Sequence, residues 1–355
     1  MVYHQILSFT YIIILFMKKY LLICFALLAI ASFAQNKKEI YPIAFYNVEN
    51  LFDTQRNTNI QDEDFTPSGR NNWTDDKYKK KLKNLAYVIN LFGKETNPAG
   101  AAIIGVAEVE NKKVIEDLIN TGDLASRKYQ IVHQDSPDAR GIDVGLIYNP
   151  SLFKVTSYKV YPFTLPGAND IKTRDILVVS GLLAGQPLNV LVNHWPSRRG
   201  DNSSPLRERA AAICKHISDS IYQANPKASI IIMGDMNDDP KDKSTRIVLN
   251  AKKNKEEVQK GGLYNTMWKI HESGTGTLCY KDQWNLFDQI IISQSLLSTG
   301  KSKLNFEKAE VFNKDFLFQK SGKYKGYPLR TFSGNTFLNG YSDHFPTLIY
   351  LSLDK

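Results

Sequence analysis

Six apolar runs in this chain carry an acid, an amide or an imidazole at one end. YPIAFYN closes on Asn47, and AAIIGVAEVEN carries Glu108 and Glu110. NVLVNHW closes on Asn193 and His194, and IIIMGDMNDDP breaks from Met233 into Asp235, Asn237, Asp238 and Asp239. FDQIIIS opens on Asp288, and YSDHFPTLIY sets Asp343 and His344 just ahead of the last run. Short β-branched runs closed by turn residues read as buried strands rather than helices. Singly, each ending is either turn chemistry, since Asp, Asn and Pro form turns, or a site. Together, strands that gather polar groups at one end describe a cleft on the rim of a rigid sheet. Carboxylates crowded there repel one another unless a cation lies between them.

Strands are predicted at Tyr41–Tyr46, Ala102–Ala107, Tyr129–His133, Val144–Tyr148, Ile176–Leu182, Leu188–Asn193, Ile230–Met233, Asp288–Ile292 and Thr347–Leu351. Helical spacing recurs at Tyr78, Leu82, Leu85, Ile89 and Phe92, with Thr74 as a cap, and again at Leu206, Ala210, Ile213, Ile217 and Ile221. Asp53–Asp76 is polar and reads as a long loop, and Lys252–Gly262 is a second charged stretch. No linker divides the 355 residues, so α and β layers are expected in one catalytic domain, 35–355.

The N-terminus carries a secretory pattern: Lys18 and Lys19, an apolar stretch from Tyr20 to Ile30, then Ser32-Phe33-Ala34. Residues 1–34 are therefore expected to be a signal peptide, cut after Ala34. Met17 is the favoured start, and a longer membrane anchor is the competing reading. A secreted or periplasmic protein without a membrane span in its mature chain follows. Losing Lys18 and Lys19 takes the net charge from +9 to +7. That balance suits a polyanion such as nucleic acid, and equally suits plain solubility. Cys214 and Cys279 remain after cleavage; neither has metal-ligand spacing, and Cys214 reads as a buried helix residue.

The polar groups themselves point to a reaction. Oxygen donors such as Glu108, Asp343 and Asn47 suit a hard cation, Mg²⁺ first, with Mn²⁺ or Ca²⁺ in the same class. Zinc would call for more His or Cys in ligand spacing. His194 and His344, each near an acid, suit proton transfer. A metal with such donors around a substrate describes hydrolysis of a phosphate ester.

GDMN with Asp235 and Asn237, SDH with Asp343 and His344, the Glu of VAEVEN and the Asn of FYN together resemble the endonuclease/exonuclease/phosphatase superfamily. That superfamily includes deoxyribonuclease I, apurinic endonucleases and neutral sphingomyelinases. The motifs run in the family's order from Ile43 to Leu351. The resemblance implies a four-layer α/β sandwich, two mixed β-sheets face to face with helices outside. It implies Glu108 as metal ligand, supported by Asn47 and Asp343, and Asp235 as the group that orients or deprotonates water. It implies Asn237 as a phosphate-contacting amide, and His344 as the imidazole at the scissile phosphate, with Asp288 holding its tautomer. His194 matches a second histidine of deoxyribonuclease I-like members, where apurinic endonucleases carry a tyrosine. Arg174 resembles a phosphate-binding arginine.

The resulting expectation is a secreted, metal-dependent endonuclease of DNA, or of RNA, acting as a monomer on nucleic acid without a stable protein partner. The alternative is a phosphatase or phosphodiesterase of the same scaffold acting on a phospholipid head group, a sugar phosphate or a nucleotide. Glu49, Glu110, Asp143, Arg198, Arg199 and Arg207 have no assigned role. Trp73 and Trp195 either stack on a base or pack.

Overall fold

The computed structural model describes residues 16–20, 38–167, 171–198, 203–298, 300 and 303–354. The expected signal peptide, apart from a helical turn at 16–20, lies outside them, as does Arg199. The strands are β1 (Lys38–Leu51), β2 (Ile103–Val109), β3 (Gln130–His133), β4 (Asp143–Tyr148), β5 (Phe153–Tyr161), β6 (Ile176–Leu183), β7 (Gln186–His194), β8 (Ser229–Asp235), β9 (Ala251–Lys252), β10 (Leu263–Asn265), β11 (Leu278–Tyr280), β12 (Gln283–Asn285), β13 (Asp288–Ser293), β14 (Leu304–Val311), β15 (Phe332–Ser333), β16 (Thr336–Phe337) and β17 (Thr347–Asp354). One sheet has the order β14-β17-β1-β2-β4-β3 and the other β5-β6-β7-β8-β13-β10-β9. Both are mixed: β1 with β2 and β7 with β8 run parallel, while β2 with β4 and β8 with β13 run antiparallel.

Period-two alternation sorts the second sheet's side chains between two cores. Leu177, Val179, Val190, Val192, Ile231, Met233, Ile290 and Ile292 join the large cluster shared with the first sheet. Their neighbours Ile176, Val178, Leu191, Ile230, Ile232 and Ile291 join the opposite cluster, under the Ser203–Ala224 helix through Ala210, Cys214 and Ile217. Each such buried side chain contributes roughly 1.5–3 kcal/mol. A one-residue slip of β8 would turn Met233 and Asp235 to the wrong face. The Asp75–Asn90 helix covers the first sheet with Tyr78, Leu82, Leu85 and Ile89, and Thr74 caps it by accepting from Lys77 N. The sheets approach closely at Gly105, where a Cβ would lie 2.5 Å from Met233 Sδ. Helix, sheet, sheet and helix give the expected sandwich, and the expected loop runs from Asp53 to Thr74, broken by one short 3-10 turn, while Asp75 and Asp76 open the helix.

Strands β5, β10 and β14 were not legible in the sequence. β5 is an exposed edge whose polar residues hide its alternation, and β14 alternates weakly. Trp73 and Trp195 are buried, so both pack. Cys214 is buried in its helix, and neither it nor Cys279 forms a disulfide. Among the described residues no helix is long and apolar enough to cross a membrane.

Candidate active site

Register places the central polar groups side by side. In the second sheet His194 pairs with Asp235, and Asp235 pairs with Asp288 on its other flank. By alternation all three share the face of Val192, Met233 and Ile290, so they replace apolar core at one end of the space between sheets. The first sheet brings Asn47, just before the register shift in β1, opposite Ala107 and hence beside Glu108 of β2. The segment before β17 adds Asp343 and His344; Ser342 anchors it by donating to Asn47 O at 2.6 Å and accepting from His344 N at 3.1 Å.

Asp235 sits at the centre. Its Oδ2 accepts from Asn47 Nδ2 at 3.0 Å and lies 3.6 Å from His194 Nε2 and 3.9 Å from His344 Nε2. Its Oδ1 accepts from Asn237 N at 2.9 Å. On the far side of His344, Nδ1 lies 2.7 Å from Asp288 Oδ2. His194 Nε2 is 3.9 Å from Glu108 Oε1.

These contacts divide the two imidazoles. Burial disfavours charge on His344, but the Asp288, Asp235 and Asp343 carboxylates outweigh it and raise its pKa well above the usual histidine value. Burial, with the Arg174 and Arg140 cations, holds His194 well below that value. One histidine is thus an acid and the other neutral, a split that suits proton transfer in both directions. Burial also raises Asp235.

Within this cleft two groups of side chains have the chemistry for a cation; a third, His133, Asp135 and Asp143, gathers at the start of β4. Asp235, Asp288 and His344 lie close together, but the His344 Nδ1–Asp288 bond already occupies two of them. Glu108 offers a better donor. Its Oε2 accepts from Asn50 N at 2.9 Å, its Oε1 accepts no hydrogen bond among the described residues, and its backbone holds φ 63°, in the left-handed region. Such strain in a glutamate persists only where surroundings impose it, and it clusters at functional sites. With Asn47 Oδ1, which accepts from Glu49 N at 3.0 Å, and the Asp343 carboxylate, the donors are all oxygen. That set fits a hard cation.

Arg174 faces inward. Its Nε donates to His194 O at 3.1 Å, Nη2 to Trp195 O at 2.7 Å and Nη1 to Asp138 Oδ2 at 2.9 Å, all buried. Asn237 Nδ2 donates to Trp195 O at 3.0 Å. Arg207 pairs with Asp238 at 2.7 Å, and Arg198 spans Asp238, Asp239 and Asp242. The acids of the NDDP turn are therefore structural. Asp143 accepts from Ser136 N, with His133 3.2 Å away, and Glu110 accepts from Asp53 N.

Sequence reasoning missed Arg330. Its Nη2 donates to Asp343 Oδ2 at 2.9 Å and its Nε to Glu49 Oε1 at 3.2 Å. Behind Glu49 lies Lys81, fully buried, its pKa pushed down to about 8 by desolvation. Lys81 stands in DDKYKKKLKN, where a lysine reads as solvent-facing. The only signal was its place one residue before Leu82, on the buried side of the helix.

The sequence matches the Endonuclease/Exonuclease/phosphatase family over residues 42–353. No curated protein matches it. Among solved structures, D. rerio TDP2 complexed with single strand DNA product is similar at a TM-score of 0.54 and 13% identity, covering 88% of this chain and 98% of that one. A Bacteroides thetaiotaomicron protein of the endonuclease/exonuclease/phosphatase family reaches 0.55 at 13% identity, over 90% of this chain and 97% of its own. A mannosyl-6-phosphatase from the same organism reaches 0.55 at 12% identity, over 88% and 99%.

Proposed function

Because the chain belongs to the Endonuclease/Exonuclease/phosphatase family, and so hydrolyses phosphate esters, we propose that it is an exported, divalent-metal-dependent phosphodiesterase that cuts DNA, with RNA as the related substrate. The observation that carries this reading is the register of His194, Asp235 and Asp288 on adjacent strands, facing Asn47 and Glu108. The DNA-bound neighbour and the basic mature chain support the substrate; the Met17–Ala34 pattern supports export.

In this reading Asp235 orients a water and takes its proton, held in place by Asn47 and Asn237 N. His344, kept protonated by Asp288, stabilises charge that builds on the phosphate oxygens. His194, neutral and close to both Asp235 and Glu108, supports the in-line geometry. Glu108, Asn47 and Asp343 would hold Mg²⁺, Mn²⁺ or Ca²⁺, which when bound offsets phosphate charge. Arg174 positions the end of β7 through the His194 and Trp195 carbonyls.

The test is cleavage of supercoiled plasmid by the protein from Gln35, with Mg²⁺ and with chelator, beside His344→Ala. Metal-dependent nicking that the variant loses supports the reading. Intact plasmid alongside hydrolysis of p-nitrophenyl phosphate would remove DNA as substrate and keep phosphate-ester hydrolysis.

A further inference from the structure

Arg330 and Glu49 play no part in the mechanism above, although Arg330 is held by Asp343, a proposed metal donor. Arg330 lies between β14 and β17 on a segment that doubles back on itself: Leu329 N donates to Leu317 O, and Tyr341 N to Leu329 O, each at 2.7 Å. A Cβ on Gly340 would fall 2.2 Å from the carbonyl oxygens of Leu329 and Arg330, so the two runs touch backbone to backbone. The arginine therefore springs from a fixed main chain.

Charged groups then fix its side chain. Nε is held by Glu49 and Nη2 by Asp343. Glu49 is itself held, because its Oε2 accepts from Thr331 N at 2.7 Å. Beneath it, Lys81 Nζ donates to Thr331 Oγ1 at 2.5 Å and Tyr341 O at 2.7 Å, and lies 3.8 Å from Glu49 Oε2. Glu49 and Asn50 both adopt left-handed backbone, φ 52° and 47°. A buried lysine and two strained residues are costly in free energy.

A structural ion pair does not account for this. Lys81 is already the buried cation beside Glu49, and Arg330, with its side chain 44% exposed, adds little as a solvent-screened pair. A guanidinium offers five N–H donors. Two are used, and Nη1 makes no hydrogen bond among the described residues. The group also lies near enough to Glu108 to feel its charge. A planar cation held through Nε on Glu49 and Nη2 on Asp343, itself a proposed metal donor, and left with Nη1 free, is preorganised for an oxyanion.

We infer that the free edge of Arg330 is an oxyanion subsite that receives a non-bridging phosphate oxygen of the substrate, with Glu49 as its positioning residue. The inference rests on the phosphate-ester reading of the site, and it adds a contact that none of the six strand-end motifs contains.

The test uses the full mature chain and Arg330→Gln, Arg330→Lys and Glu49→Gln. Each is assayed on bis(p-nitrophenyl) phosphate and p-nitrophenyl phosphate, with inorganic phosphate as inhibitor. Arg330→Gln should weaken phosphate inhibition about 10–100-fold, the loss expected for a charge-assisted hydrogen bond, and raise KM alike. Arg330→Lys should recover part of this, and Glu49→Gln should shift KM more than kcat. Unchanged phosphate inhibition and KM in Arg330→Gln would overturn the subsite. Should that variant unfold, Arg330→Lys decides: weakened inhibition supports the subsite, and wild-type inhibition removes it. Plasmid cleavage by wild type with unchanged phosphate inhibition in the variant keeps the proposed function and drops the subsite. If wild type hydrolyses no ester, wild type and variant are titrated with inorganic phosphate by calorimetry. Weaker binding by the variant then supports the subsite, and equal binding removes it.

Discussion

His344 Nδ1 and Asp288 Oδ2 lie 2.7 Å apart, both buried, on segments 56 residues apart in sequence. The carboxylate raises the imidazole pKa, with Asp235 and Asp343 adding to it, against the opposing pull of burial. In Asp288→Asn that raised pKa falls, so the charged form is lost at a lower pH. The alkaline limb of the kcat profile should move to lower pH, and the rate should drop on the order of 10²–10⁴-fold, as when other buried His–Asp pairs lose their acid. Steady-state kinetics across pH checks this. An unmoved limb would mean that another group sets it.

Arg174 separates bracing from substrate binding. Its guanidinium is tied to Asp138 and to the His194 and Trp195 carbonyls. Arg174→Met removes the buried partner of Asp138 and leaves it only the partly exposed Arg140 at 3.8 Å, a change that costs up to roughly 3–5 kcal/mol. The thermal midpoint should fall by several degrees, while KM of the surviving folded fraction stays near wild type. A large rise in KM at unchanged midpoint would return Arg174 to the substrate.

The strand ends were legible because a buried strand cannot hide a polar residue at its tip. Asn47, Glu108, His194, Asp235 and Asp288 all lay where an apolar run stopped, and the alternation of Ile230 to Asp235 already set which face each would take. What joins strands distant in sequence was not legible. Arg330 sits in a polar segment of lysines and tyrosines with no periodicity, and Lys81 in a run of lysines. Each becomes distinctive only when the chain brings Glu49 to it. Arg174 was visible as an arginine near a strand, but its direction depends on Asp138, which comes from another loop.

Glu108 and the Asp235–Asp288–His344 group make different predictions for metal binding. If the cation sits at Glu108, Glu108→Gln should weaken Mg²⁺ or Mn²⁺ binding by calorimetry more than the about 10–100-fold typical of outer-shell partners. Asp288→Asn should then bind metal close to wild type. The reverse ranking would move the ion to the Asp288 side and displace the His344–Asp288 bond from the mechanism.

Cys214 tests the packing behind β7. Its Sγ lies 2.9 Å from Asn193 Oδ1, which also accepts from Trp195 Nε1 at 3.2 Å, so the thiol helps to fix the strand that ends in His194. Burial pushes its pKa up to about 12. At pH 8 the thiolate fraction is then about 10⁻⁴, and the thiolate is the species that alkylates. Cys279 is only half-buried. Native treatment with iodoacetamide, followed by mass spectrometry, should mark Cys279 and spare Cys214, whereas denaturant should expose both. Equal native labelling would show that the Ser203–Ala224 helix opens, and His194 would then lack the rigid support its role requires.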